Sequence, residues 1–323
     1  MYVSEGQGNR VAAYRLGTDG LPPAEPFSSI PLINPRRLLL VDDVLYVCLI
    51  DSVVSIEIQP DGSLPDLPTS ITPPIAGIDA IDMVKVGDVL YVALEGLRVV
   101  AAYPLQNGQL TSESLSFSGT NLSDYRSIAN RGPFIYAAAA SSQRVDTYII
   151  NEDGSLDEEP IPQVPQTLVG LPQDMVVVDD NLYIVDGNRR RIYQFEFLNT
   201  GLLPEDPTTE TKDEDFYAQL IVEDGIIYAS GFNIGQIDLY GVDPISGGIV
   251  SERPFFSTFQ DVAAYPNGMG LRDGILYVTQ SGRDRVDAYI LGVDGVPSSF
   301  PSSSTDAISG SYPNAITFGV YPP

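Results

Sequence analysis

One pattern recurs seven times along the chain, and it constrains the fold more than any other feature. A tyrosine in an apolar run is followed by a polar loop, a second strand-like run and a glycine turn. The copies are YVSEGQGNRVAAYRLGTDG, LYVCLIDSVVSIEIQPDG, LYVALEGLRVVAAYPLQNG, IYAAAASSQRVDTYIINEDG, LYIVDGNRRRIYQFEFLNTG, IYASGFNIGQIDLYGVDPISG and LYVTQSGRDRVDAYILGVDG. Their tyrosines, Tyr2, Tyr46, Tyr91, Tyr136, Tyr183, Tyr228 and Tyr277, are spaced by 44, 45, 45, 47, 45 and 49 residues. A strand-bearing repeat of about 40 to 50 residues is that of a propeller blade, which cannot bury its faces alone and must stack on neighbours.

Each unit carries the parts of a four-stranded antiparallel blade. An apolar run such as RRLLLV precedes a tight turn (Asp42-Asp43, Asp224-Gly225, Asp273-Gly274), then come the tyrosine strand, a polar loop and a third strand. Asp19-Gly20, Asp61-Gly62, Asn107-Gly108, Asp153-Gly154 and Asp294-Gly295 close that third strand with the hairpin turn whose two central residues take positive φ. A segment rich in Pro, Ser and Thr follows, as in PFSSIPL, LPTSITPP and VPSSFPSSS. That composition suits an outer edge, where proline has no ladder bond to lose.

Six tyrosine strands have an inner strand before them, and Tyr2 has none. Its counterpart lies at the other end of the chain, where YPNAITFGV (312–320) mirrors YPNGMGL (265–271). The expectation is an all-β, seven-bladed propeller of four-stranded antiparallel blades. It forms one domain over residues 1–323, with strand 312–320 closing the blade begun by 1–30.

Charge narrows the function classes. The chain has 17 basic and 43 acidic residues, a formal net charge of −26, and no histidine. Such a field repels nucleic acid and anionic membranes. No apolar run approaches the ~18 residues of a membrane span, and no apolar segment follows a basic one at the start, so neither a span nor a signal peptide is expected. The compartment stays open, with an extracellular, periplasmic or high-salt setting compatible with the charge. Cys48 is the single cysteine and sits in a strand pattern, so a buried, inert thiol is expected. No calcium-loop spacing is present, and neither metal nor cofactor is expected.

The Tyr-Val-Thr-Gln of residues 277–280, with RVDAYILGVDG after it and its relatives YVSEGQGNRVAAYRLGTDG and LYIVDGNRRRIYQFEF, resembles the YVTN repeat of the lactonase family of seven-bladed propellers. That family includes bacterial 6-phosphogluconolactonases and fungal cycloisomerases acting on muconate lactones. The resemblance covers all seven units and implies a site on the face where the inner strands begin. It also implies, for the cycloisomerase-like members, a histidine working with arginine and glutamate. A chain without histidine has no such base, so lactone chemistry here would rest on a carboxylate base with an arginine on the oxyanion.

Recurrence within the chain separates frame from site. Arg10, Arg144, Arg191 and Arg285 share a unit position, with Asp146 and Asp287 two residues after an arginine, and ion pairs between blades are expected of them. Residues that vary at the inner strand starts are Arg36, Arg37, Asp82, Arg126, Asp174, Gln219, Asn267 and Asn314. In the loops they are Glu5, Asp51, Glu95, Asp186, Asn188, Arg189, Asn233 and Gln280. Asp82, Asp174, Arg36 and Arg126 are the catalytic candidates. Glu5, Tyr125, Asp186, Asn188, Arg189, Tyr217, Asn267 and Asn314 are the ligand-binding candidates, with Tyr125, Tyr217, Tyr265 and Tyr312 walling a pocket. Three readings stand: a module binding a small molecule or protein at the channel mouth, a histidine-independent lactone hydrolase or isomerase, and a divalent-cation-binding propeller.

Overall fold

Short runs of Val, Ile, Leu, Tyr and Ala between turn residues are strand formers that bury both faces when a neighbour lies on each side. In the computed structural model, which describes residues 1–74, 79–118, 123–161, 170–212, 215–307 and 310–319, these runs form seven antiparallel sheets. Inner strands Leu38–Val41, Ala80–Val86, Tyr125–Arg131, Pro172–Val178, Tyr217–Glu223, Pro266–Arg272 and Pro313–Thr317 stand around a central channel. Each continues outward through the tyrosine strand and a third strand to a short edge. Five of the edges have only two or three residues, such as Ser70–Ile71, which leaves little unpaired backbone as a template for association. In the fourth blade the edge is, among the described residues, a single bridge, Thr147 to Ile161.

The ring closes as its sequence requires. Tyr2–Glu5 pairs with Pro313–Thr317, placing Val3 opposite Ile316 and Ser4 opposite Ala315. The chain's last inner strand thus supplies the strand missing before Tyr2.

Apolar side chains collect between blades rather than within them. Leu45, Val47, Val54 and Ile56 of the second blade pack with Tyr2, Val11, Ala13 and Ile30 of the first, and six further clusters fill the other six interfaces. Burial of such a side chain contributes roughly 1.5–3 kcal/mol, so the ring is held by its interfaces. Cys48 lies inside one of them, and burial pushes its thiol well above the ordinary range.

The recurring tyrosine and glycine serve one purpose. In every blade the tyrosine hydroxyl donates to the glycine carbonyl in the outer turn of the next blade: Tyr2 to Gly62, Tyr46 to Gly108, Tyr91 to Gly154, Tyr136 to Gly201, Tyr183 to Gly247 and Tyr228 to Gly295, at 2.5 to 2.8 Å. Tyr277 donates to Gly20 and completes the circle. Each of these glycines has φ between 72° and 83°, and a Cβ on Gly154 would lie 2.6 Å from Val89, so both the backbone and the close approach demand glycine. The turn type departs from expectation. Of the five turns that close the third strands, Asn107-Gly108 alone has positive φ at both central residues, whereas Asp61 and Asp153 keep ordinary φ and accept the N–H two residues on. The Asp side chain stabilises the turn from outside the left-handed region.

The expected ion pairs between blades are also corrected. Arg10 pairs with Glu5, Arg144 with Asp146, Arg191 with Glu210 and Arg285 with Asp287, each inside its own blade. Residues two apart on a strand share a face, so Arg144 and Arg285 reach their own neighbours sooner than the next sheet.

Candidate functional site

Five inner strands and the closing strand carry a bulge near their channel end. A bulge sets two residues against one on the partner strand and so breaks the alternation of faces. The residue ten before each tyrosine, with Asn314 as its counterpart in the closing strand, then lines the mouth. These are Arg36, Ile81, Arg126, Gln173, Ala218, Asn267 and Asn314, one from every blade, around a cleft of about 590 Å³. Gly6, Gln7, Asn34, Arg37, Glu95, Phe216, Phe232 and Tyr312 line the same cleft.

In four inner strands the next residue stitches the ring. Asp82 accepts the N–H of Ile128 at 3.0 Å, Ser127 that of Met175 at 3.1 Å, Asp174 that of Leu220 at 2.9 Å, and Gln219 that of Met269. Each bond crosses to the following blade. Arg37 lies at the floor of the cleft, its Nε 2.8 Å from Asp82 and its Nη2 2.7 Å from Asp174, while Ser127 donates to Asp82 at 2.9 Å. Burial alone would lower the Arg37 pKa, and the two carboxylates outweigh it and raise it. Asp174 is raised chiefly by burial, with Arg37 opposing and Asp82 adding.

This geometry removes Asp82 and Asp174 from the role of solvent-facing base: they are 6% and 4% exposed, and their oxygens are engaged by Arg37, Ser127 and backbone N–H groups. It bears on the cation reading too. The two carboxylates that converge do so on a guanidinium, and among the described residues no three His, Cys, Asp or Glu side chains are grouped to hold a metal.

The two arginines among the catalytic candidates line the mouth. Arg126 Nη2 lies 2.9 Å from Glu95, its Nη1 donates to Gln173 at 3.2 Å, and Arg36 Nη2 is 2.9 Å from Asp79. Burial raises Asp79, with Arg36 opposing and Glu95 adding, so the four charges sense one another. Arg126 Nε and Gln173 Nε2 are buried donors without an acceptor among the described residues.

Among the binding candidates, Asn267 and Asn314 line the cleft and bond to each other at 3.3 Å. Tyr125 and Tyr217 do not wall it. Each is fully buried, donating to Asp146 or Asp238 and meeting Tyr148 or Tyr240 at 2.7 Å, because the bulge turns it into the blade. Tyr312 lines the cleft, and Tyr265 is exposed beside Phe232, ring centroids 5.3 Å apart. Glu5 is buried against Arg10, and Asp186 accepts the N–H groups of Gly170, Leu171 and Arg189, clamping its loop. Asn188 is exposed and Arg189 half-buried, and neither lines the cleft. Ile81, Gln173 and Ala218 were missed as mouth residues, and so were Phe216 and Phe232. Counting ten back from every tyrosine finds the first three. The two phenylalanines meet edge to face, centroids 6.2 Å apart, from separate loops that no spacing connects.

The architecture is that of a seven-bladed β-propeller. Its ring superposes on a periplasmic gluconolactonase from Pseudomonas aeruginosa with a TM-score of 0.82, at 15% identity over 99% of both chains. A putative 6-phosphogluconolactonase from Bacteroides fragilis gives 0.77 at 14% identity, covering 97% of this chain and 96% of that one. A streptogramin B lyase gives 0.63 at 13%, covering 98% and 94%. No family model and no curated protein matches the chain. At these identities the likeness is one of fold, which hosts unrelated chemistries.

Proposed function

We propose that the mouth binds a small, hydroxyl-rich carbonyl compound of the sugar-lactone class, with Glu95 poised to open the lactone ring by hydrolysis. One observation carries this reading. Five of the seven blades offer a polar side chain from the equivalent position at the mouth, Arg36, Arg126, Gln173, Asn267 and Asn314, beside the aromatic Phe216, Phe232 and Tyr312. Convergent amide and guanidinium donors match hydroxyl and carbonyl oxygens, and aromatic faces match the C–H face of a sugar ring. The gluconolactonase among the similar folds is consistent with this substrate class.

In the reaction a lactone carbonyl oxygen takes hydrogen bonds from Arg126 and Arg36, releasing Glu95 from its ion pair. Water adds to the carbonyl carbon and gives its proton to Glu95. The ring C–O bond then breaks, and the departing alkoxide recovers that proton. Donors placed where negative charge develops lower the barrier more than they stabilise the neutral substrate.

The test is titration of the acid released from a neutral aldono-1,5-lactone at constant pH, alongside calorimetry with the non-hydrolysable lactam. Turnover that falls at least ~100-fold in Glu95→Gln supports hydrolysis, as loss of a general base does. Lactam binding without turnover leaves recognition alone, the reading favoured by the sequestration of Asp82 and Asp174. Absence of both overturns the proposal.

A further inference from the structure

We infer that the cleft selects a neutral ligand and rejects its phosphorylated form, an inference that rests on the lactone-binding reading above. The argument is the charge arrangement at the mouth. A phosphate site needs a cation free to face it, preferably a bidentate guanidinium, or a helix N-terminus. Among the described residues the secondary structure is strands and one three-residue 3₁₀ turn, so no helix N-terminus is offered. The arginines at the cleft are already matched: Arg36 with Asp79, Arg126 with Glu95, and Arg37 with both Asp82 and Asp174. Three cations therefore meet four carboxylates, and the site is slightly negative inside a chain of net charge −26.

A doubly charged ester entering this cleft must break an ion pair and approach a carboxylate. At partial burial, charges a few ångströms apart interact with an effective dielectric of about 20, far more strongly than in water. A neutral lactone brings no charge toward these carboxylates, and Asn267 and Asn314 offer its oxygens amide hydrogen bonds at the mouth. The same charge balance favours release of the anionic acid that ring opening produces.

The experiment compares a neutral aldono-1,5-lactam with the same lactam carrying a phosphate ester, by calorimetry at low salt. The neutral compound is expected to bind at least ~100-fold more tightly, and the gap is expected to narrow as sodium chloride screens the repulsion. Asp79→Asn, which unmasks Arg36, is expected to improve binding of the ester at least ~10-fold while changing the neutral lactam less. An ester that binds the wild-type protein as well as the neutral lactam, or better, overturns the inference and leaves the lactone reading standing. If neither compound binds, both fall.

Discussion

The hydroxyl of Tyr277 in the last blade donates to the carbonyl of Gly20 in the first, 257 residues away along the chain. It is the seventh of seven equivalent bonds, and the one that no local folding can make. Together with the pairing of Tyr2–Glu5 and Pro313–Thr317, it converts a row of blades into a ring.

Removing one such bond strands a carbonyl at a blade interface. Tyr91→Phe and Tyr277→Phe are each expected to lower stability by about 1–3 kcal/mol, the range for an unmet buried polar group. Burial holds the Tyr91 phenol up at about 12, so the loss should be constant between pH 6 and pH 9. Urea denaturation at the two pH values checks both statements.

Deleting residues 311–323 removes the closing strand and with it the bonds from Gly6 to Tyr312, from Ser281 to Pro313 and from Ala315 to Ser4. The Tyr2 strand then becomes a free edge, a template for association. Light scattering should show aggregation, or calorimetry a large fall in melting temperature. A monomeric product with an unchanged melting temperature refutes the closure mechanism.

Arg37→Met leaves Asp82 and Asp174 facing each other without a cation at the floor of the cleft. Breaking a buried pair from one side costs about 3–5 kcal/mol. Adding Asp82→Asn and Asp174→Asn to Arg37→Met should return part of that loss, since the uncompensated charges go with them. A triple variant no more stable than the single one contradicts this account of Arg37.

The pH dependence of Asp174 has a definite sign. Its folded pKa is raised, so between the unfolded value and the folded one the native state holds the extra proton. Its contribution to stability is present below the unfolded pKa and is lost as pH rises through the folded one. Asn cannot ionise, so the penalty of Asp174→Asn should be largest below about pH 4 and smaller at neutrality. Denaturation of both proteins across that range reads the difference.

Self-repulsion at −26 should make stability rise with sodium chloride, as a few hundred millimolar shortens the Debye length below about 8 Å. Calcium at equal ionic strength should do no more. A calcium-specific rise of many degrees, abolished by Asp174→Asn or Asp186→Asn, would restore the cation-binding reading.

The sequence by itself determined the ring. Tyr, Gly and strand runs repeat at one spacing, each is a local pattern, and the strand missing before Tyr2 but present at 312–320 leaves one way to close. It also named Arg36, Arg126, Asn267 and Asn314 as mouth residues, and the structure places them along the cleft. Only the tertiary structure decided which neighbour in each inner strand faces the cleft. Asp82 and Asp174 lie one residue beyond Ile81 and Gln173, and a bulge, which no residue type announces, sends the first pair into the ring's stitching and the second to the mouth. The partnership of Arg37 with Asp174 spans 137 residues and three blades. It exists because the curvature of the closed ring brings inner strands together across the channel, and linear spacing carries no record of that distance.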